Sequence, residues 1–167
     1  AMDPPPSLLI LGASVTATSP NGERTIPISD LYADYYETIL EPDEIVTQIT
    51  VPIQPPDVAW TYIKYLPRTA DDYATVSVAA MGQLEQGKVV DVRVGLGAVA
   101  PTAIRASAVE EALLGQVVSS DKLHEVSQLV SPIVDPADDP RGSAWYKRDM
   151  SVVFTRRALE QVFGISN

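Results

Sequence analysis

The stretch "ATVSVAAMGQLEQGKVVDVRVGLGAVA", residues 74–100, contains two β-rich runs on either side of the polar segment "EQGK". Two such runs that flank a short glycine-containing segment predict a β-hairpin, and we place Gln86 and Gly87 at its turn. The two strands of a hairpin are antiparallel. The stretch therefore predicts an antiparallel sheet at the centre of the fold.

The segments before this hairpin also have the alternation of extended chain. Residues 8–18 and 45–51 are predicted strands, and the dipeptide Asn21-Gly22 predicts a two-residue turn that pairs 14–18 with 24–28. Between them, "DLYADYYETIL" indicates a short helical or irregular segment. The stiff linker "QPPD" is the best internal boundary, and it separates a segment 1–56 from a domain 57–167.

The chain after Pro101 has helical signals. "AIRASAVEEALLG" and "SSDKLHEVSQLV" predict short helices, the second with Ser119 or Ser120 as N-cap, and a long helix runs from the cap Ser143 to the stop signal Gly164. Strands first and helices last predict an α+β fold: antiparallel sheets with hairpins, and C-terminal helices packed on one face.

The composition excludes several classes of function. Twelve basic against twenty-two acidic residues give a net charge of −10, which argues against nucleic acid and anionic membrane as partners. With no cysteine, the chain has no thiolate nucleophile and no ligand for an iron–sulfur cluster, and its single histidine, His124, is expected on a helix surface. No apolar run approaches the length needed to span a bilayer, and no basic region precedes the first apolar run, so the expected location is the cytoplasm.

Two motifs have both a functional and a simpler interpretation. "GLGAVA", 95–100, matches a dinucleotide fingerprint, but Pro101 interrupts the helix that the phosphate site requires, so close packing beneath helices is the favoured role of these glycines. Asp138 and Asp139 could bind a metal, although a solvated loop placed favourably at a helix start is preferred. The basic residues of the last helix face either a partner subunit or, as we prefer, water: Lys147, Arg148, Arg156 and Arg157.

A lysine occupies an apolar strand face in "WTYIKYLPRTADDYATV", 60–76. Lys64 shares one face of the predicted strand with Trp60 and Tyr62, and that face is otherwise aromatic or apolar. A lysine in this position either extends to water or contacts an anion. Which anion it meets is the question that the sequence raises.

Several segments, in order, resemble the flavoprotein (medium) subunit of the molybdenum hydroxylases, a family that includes carbon monoxide dehydrogenase and xanthine dehydrogenase. The matching segments cover nearly the whole chain: "DPPPSLLILGASV", "GERTIPISDLY", "TILEPDEIVTQITVPI", "KYLPRTADDYATVSVAA", "VVDVRVGLGAVAPTAIRASAVEEALLG" and "DPRGSAWYKRDMSVVFTRRAL". The resemblance implies that 1–56 is the remainder of an FAD-binding domain and that 57–167 is the family's C-terminal α+β domain. The glycine-rich N-terminal FAD subdomain of the family is missing from this sequence.

The resemblance also implies which residues lie near FAD. It places Lys64 beside the isoalloxazine, Tyr73 against the ring, Val46 and Asp3 in contact with the flavin nucleotide, and Arg68, Asp71 and Asp72 in the loop that positions Tyr73. A lysine near the N1–C2=O edge would stabilise the negative charge that reduction places there. None of these residues is assigned acid–base catalysis.

Two functions follow as alternatives. In the first, the chain is part of the FAD-carrying electron-transfer subunit of a molybdenum hydroxylase, an FAD-dependent oxidoreductase. Its partners would be a molybdopterin-binding large subunit and an iron–sulfur small subunit, and an external acceptor would take the electrons from FAD. In the second, the chain is a non-catalytic assembly module that binds no FAD without the missing subdomain. We expect the isolated chain to be inactive and to bind FAD weakly or not at all.

Overall fold

The computed structural model describes residues 3–66 and 73–165, which form an α+β structure with antiparallel sheets. The elements follow one another as α1 (Pro4–Ile10), β1 (Ser14–Ser19), β2 (Gly22–Pro27), α2 (Ile28–Leu31), β3 (Tyr32–Asp34), β4 (Glu37–Thr38), β5 (Ile45–Thr50), β6 (Ala59–Tyr65), β7 (Val76–Glu85), β8 (Lys88–Gly97), β9 (Ile104–Arg105), α3 (Ser107–Leu113), α4 (Ser120–Ser127) and α5 (Ala144–Phe163). The predicted fold class is confirmed. No helix within these residues is both long enough and apolar enough to cross a lipid bilayer.

The central sheet has the order β6-β7-β8-β9, with every neighbouring pair antiparallel. The β7–β8 hairpin closes between Glu85 and Lys88, and the two turn residues Gln86 and Gly87 have φ of 50° and 79°. Two successive left-handed residues match the right-handed twist of the strands, and glycine at the second position adopts this conformation without steric cost. The hairpin predicted from residues 74–100 is confirmed.

The C-terminal helices cover one face of this sheet and enclose the larger core. Ser119 and Ser143 cap α4 and α5 by accepting hydrogen bonds from Lys122 N and Tyr146 N, and Gly164 ends α5 with a φ of 67°. Apolar residues of α3, α4 and α5 pack against those of the strands. The fully buried residues of this core include Val76, Val78, Val94, Leu96, Val109, Leu113, Leu123 and Leu159. These helices and caps agree with the sequence prediction.

Helix α1 lies on the opposite face of the sheet, over two glycines of β8. A Cβ at Gly95 would lie 2.7 Å from the Pro6 carbonyl oxygen, and a Cβ at Gly97 would lie 2.6 Å from Pro6 Cγ. The glycines of the "GLGAVA" motif therefore allow close packing, as the simpler interpretation held, although the packed helix is α1 and not a C-terminal helix. The strand β8 that carries them belongs to a hairpin, and the next helix begins only at Ser107. This arrangement lacks the strand-to-helix loop of a dinucleotide site.

The strand predicted over 8–18 is wrong in its first part, because residues up to Ile10 belong to α1. Prolines in the first helical turn need no intrahelical donor, and their fixed φ suits a helix start. Gly12, with φ of 67°, ends this short helix, after which β1 begins at Ser14. The prolines thus start a helix that includes part of the apolar run, although that run by itself suggests extended chain.

The strands β2, β1 and β5 form a second sheet in that order. The predicted β1–β2 hairpin is present, but Ser19 pairs with Gly22, so the turn residues are Pro20 and Asn21 instead of Asn21 and Gly22. The Asn21 N–H donates to the Ser19 hydroxyl over 3.2 Å, and proline is preorganised for the first corner of a turn, so the chain reverses one residue early. The aromatic segment after β2 forms the one-turn helix α2 and the small β3–β4 hairpin.

Glu110 of α3 completes the hydrogen bonding at the far edge of the central sheet. Its Oε1 accepts from Val94 N over 2.8 Å, and both carboxylate oxygens accept from the Arg105 guanidinium, each over 2.8 Å. The carboxylate therefore takes the place of a neighbouring strand for a buried N–H of β8.

His124 is exposed on α4, as the sequence predicts.

Candidate functional site

Within residues 3–66 and 73–165, Lys64 forms an ion pair with Asp3, the residue that precedes α1. Lys64 Nζ donates to Asp3 Oδ2 over 2.9 Å, and the two side chains are 22% and 46% exposed. Lys64 lies near the end of β6, on the sheet face that α1 covers. The pair therefore joins two of the predicted site residues in one half-buried cluster.

The residues around the pair follow from the strand register. Lys64 lies opposite Ser77 of β7, which in turn lies opposite Gly97 of β8. Because Gly97 has no side chain, α1 approaches closely enough to bring Asp3 to the lysine. Tyr62, two residues before Lys64, shares its face, since alternate residues of a strand point the same way.

Tyr62 adds a buried phenol to this cluster. Among the described residues, the buried hydroxyl of Tyr62 has no hydrogen-bond partner. Burial raises its pKa, the nearby Ser77 hydroxyl opposes that effect, and the negative charge of Asp3 adds to the rise. The phenol therefore stays protonated well above neutral pH. An ammonium, a carboxylate and a neutral phenol together offer donors and acceptors to a polar ligand edge at the α1 face of the sheet.

Tyr73 lies before β7 and contacts Arg141 from the loop that precedes α5. The guanidinium carbon of Arg141 lies 5.1 Å from the centroid of the tyrosine ring, and Tyr73 is 59% exposed. This distance is within the range of a cation–π contact. One face of the ring is thus held against a cation, while more than half of the residue is open to solvent.

Lys147 of α5 supports the loop that carries Arg141. The lysine is 3% exposed, and its Nζ donates to Asp139 Oδ2 over 2.9 Å and to the Ala137 carbonyl over 2.8 Å. The expectation that Lys147 faces water or a partner is therefore wrong, because the α5 register directs this residue into the core and Asp139 compensates its charge. Asp138 accepts from the N–H of Ala144 at the start of α5, as the favoured helix-start interpretation requires.

The ionisation of Asp139 reflects these contacts. Burial by itself raises the pKa of its carboxyl, but hydrogen bonds from Lys147 and Arg141 outweigh burial, and the net pKa is lowered. Asp139 is therefore a carboxylate at neutral pH and serves as an ion-pair partner. Among the residues that the structure describes, no group of three His, Cys, Asp or Glu side chains is arranged to hold a metal ion.

Val46 belongs to a different sheet from Lys64: it lies on strand β5 of the sheet β2-β1-β5, where it pairs with Ala17 of β1. All residues of β5 are exposed, including the apolar side chains of Ile45, Val46 and Ile49. Arg68, Asp71 and Asp72, the other residues predicted near the flavin, lie outside the described residues. Their assigned roles stay predictions.

Sequence reasoning overlooked Tyr62, Ser77 and Arg141. Tyr62 had a usable signal, since it alternates with Lys64 on the same strand face. Ser77 had none until the β6–β7 register was known. Arg141 is far from Tyr73 in sequence, and only the fold brings its side chain to the ring.

Residues 61–162 match the model of the CO dehydrogenase flavoprotein C-terminal domain. The chain belongs to that family. Residues 1–54 of this flavoprotein-family chain also match the model of the FAD binding domain in molybdopterin dehydrogenase. The earlier resemblance to the medium subunits of molybdenum hydroxylases is confirmed.

Similar proteins include two medium chains and a chain of a solved structure. The glyceraldehyde dehydrogenase medium chain of Sulfolobus acidocaldarius is 33% identical over 162 residues, which are 97% of this chain and 57% of that protein. The carbon monoxide dehydrogenase medium chain of Afipia carboxidovorans is 35% identical over 159 residues, or 95% of this chain and 55% of the relative. A chain in the structure of carbon monoxide dehydrogenase from Hydrogenophaga pseudoflava superposes with a TM-score of 0.92 at 34% identity, covering 96% of this chain and 55% of that one. This flavoprotein-family chain thus spans little more than half the length of these relatives.

Proposed function

We propose that the chain is part of the FAD-carrying electron-transfer subunit of a molybdenum hydroxylase. In this proposal electrons from a molybdopterin-binding large subunit pass through iron–sulfur clusters of a small subunit to FAD, and from FAD to an external acceptor, in the cytoplasm. The family membership supports this role. The absence of cysteine is consistent with it, since the clusters would belong to the partner.

The observation that carries the proposal is the half-buried pair of Lys64 and Asp3 at the end of β6. Its donors and acceptors are the groups that recognise a flavin ring edge, which presents carbonyl oxygens and one N–H. This pair supports the proposal that the ring end of FAD lies at this part of the chain. Gly95 and Gly97 are covered by α1 and do not form a phosphate loop, so in this proposal the pyrophosphate is held by a part of the subunit outside this sequence.

FAD, when bound, supplies the two-electron redox chemistry, and its ring gains negative charge on reduction. Lys64 stabilises that charge through its ammonium group, and Asp3 fixes the direction of the ammonium while offsetting part of its charge. Tyr73 would lie against the ring and would restrict which acceptor can approach it. Val46 would contact the nucleotide, and the role assigned to Arg68 and Asp72, which lie outside the described residues, stays a prediction.

A second function, assembly without FAD binding, is favoured by a different observation. Strand β5 and the segment after it expose several apolar side chains: Ile45 at 70%, Ile49 at 54% and Ile53 at 100%. Apolar surface of this kind is typical of an interface. In this alternative the chain packs against the missing subdomain or partner subunits and contributes no flavin contact.

Titration with FAD separates the two functions. The isolated chain and a complete subunit that also contains the N-terminal FAD subdomain are titrated while flavin fluorescence and absorbance are followed. We expect weak or no binding to the isolated chain and tight binding to the complete subunit, with Lys64→Gln and Tyr73→Ala altering the bound flavin spectrum. A complete subunit that binds FAD with a spectrum unchanged by both substitutions would overturn the assigned site and favour the assembly role.

A further inference from the structure

A chain of three charged residues connects the core side of α5 to the ring of Tyr73. Lys147 is buried and donates to Asp139, and Asp139 Oδ2 accepts from Arg141 Nη1 over 3.2 Å. The Arg141 guanidinium then lies over the Tyr73 ring. The ring is thus connected, through two ion pairs and one cation–π contact, to a side chain fixed in the core.

The backbone of the loop is held at both ends. Asp139 and Gly142 exchange backbone hydrogen bonds of 3.2 and 3.0 Å, and Asp139 Oδ1 accepts from Arg141 N over 2.8 Å. The Arg141 carbonyl accepts from the hydroxyl of Thr75, a buried residue just before β7, over 3.4 Å. The loop therefore contacts both the ring of Tyr73 and the start of the strand that follows it.

From these contacts we infer that Arg141 is a positioning residue for Tyr73, and that Asp139 and Lys147 fix Arg141 in place. The guanidinium lies over the phenol ring, and Tyr73 is more than half exposed. The part of this inference that concerns the flavin rests on the proposed function. The part that concerns the orientation of the ring rests on the contacts alone.

The experiment uses the complete subunit with 3-fluorotyrosine at position 73, observed by ¹⁹F NMR with and without FAD. Arg141→Gln should move the fluorine resonance most of the way to the position of free fluorotyrosine, since the ring loses its cation. Arg141→Lys, which keeps a positive charge, should restore a large part of the native shift. Arg156→Gln is the matched control, because it removes a similar charge from α5 at the Glu160 ion pair and should leave the resonance unchanged.

The outcomes separate this inference from the proposed function. If Arg141→Gln shifts the resonance but FAD does not, Arg141 positions the ring and the placement of Tyr73 at the flavin is wrong. If FAD shifts the resonance but Arg141→Gln does not, the positioning role is overturned and the proposed function stands. Circular dichroism of each variant establishes that the fold is retained, and failure of Arg141→Lys to restore the shift in a folded subunit would also contradict the inference.

Discussion

The ammonium of Lys64 and the carboxylate of Asp3, 61 positions apart in sequence, lie 2.9 Å from each other across the interface between α1 and the central sheet. The pair links the part of the chain that matches an FAD-binding domain to the part that matches the flavoprotein C-terminal domain. Because opposite charges sit side by side, their effects on a neighbouring redox group should have opposite signs.

The first prediction concerns the FAD reduction potential of the complete subunit. One unit charge about 4 Å from the charged reduced ring interacts with it by roughly 4 kcal/mol at an effective dielectric near 20. This energy corresponds to a change of about 90 mV in a two-electron reduction potential. Since the paired carboxylate offsets part of this, we expect Lys64→Gln to lower the potential by about 30–60 mV and Asp3→Asn to raise it. Spectroelectrochemical titration measures both, with Lys122→Gln on α4 as control. Shifts of the same sign in the two variants would contradict the arrangement.

The second prediction concerns the close contact between α1 and β8. A Cβ at position 97 would lie 2.6 Å from both Pro6 Cγ and the Ser77 hydroxyl oxygen, so Gly97→Ala should displace α1 and cost about 1–3 kcal/mol of unfolding free energy. Urea denaturation gives the free energy, and hydrogen exchange at the Leu11 amide, which donates to Ser7, reports on α1 itself. Val90→Ala, at an exposed position of the same strand, should change neither measurement appreciably.

The third prediction concerns Glu110 at the sheet edge. Glu110→Ala leaves Val94 N and the Arg105 guanidinium without their acceptor, and we expect a loss of about 2–4 kcal/mol in the free energy of unfolding. Glu125→Ala removes an exposed carboxylate paired with Lys122 on α4 and should cost less than about 1 kcal/mol. Equal losses in the two variants would show that the buried acceptor has no special role.

The fourth prediction concerns the pH dependence of the Arg24–Glu44 pair. A hydrogen bond from Arg24, followed by one from the Glu41 backbone, lowers the pKa of Glu44 to about 2. Since the folded pKa is below the unfolded value of 4.5, the pair contributes stability that is fully present above pH 4.5 and is lost as the pH falls toward 2. Carboxyl ¹³C NMR should find Glu44 still ionised near pH 3. In Arg24→Gln its pKa should return toward 4.5, and a native Glu44 that titrates normally would refute the assignment.

Much of the fold could be predicted because its signals are local. The β7–β8 hairpin has its turn chemistry in two adjacent residues, and α5 has its stop signal, Gly164, directly after its last turn. The antiparallel sheets with helices on one face follow from such signals taken in order. The errors arose where two local signals competed, as at α1, where three prolines that favour a helix start precede an apolar run that suggests a strand.

The candidate site was harder to predict, because its contacts join residues distant in sequence. The sequence predicts that Lys64 either extends to water or contacts an anion. Its ion pair with Asp3 depends on α1 lying over Gly97, which no pattern in the sequence indicates. The burial of Lys147 depends likewise on the exact rotation of α5 against the sheet. The sequence does not indicate whether a charged side chain on a helix points to the core or to solvent when its ion-pair partner lies in a loop.

The close packing of α1 on the glycines of β8 determines how the protein should behave after proteolytic cleavage. The linker around Gln54 is the natural place for a protease to cut, yet the two pieces would still share a packed interface and an ion pair across it. They should elute together from a sizing column after cleavage. The sequence suggests that this linker separates two independent domains. In the structure it connects two parts that already pack against each other.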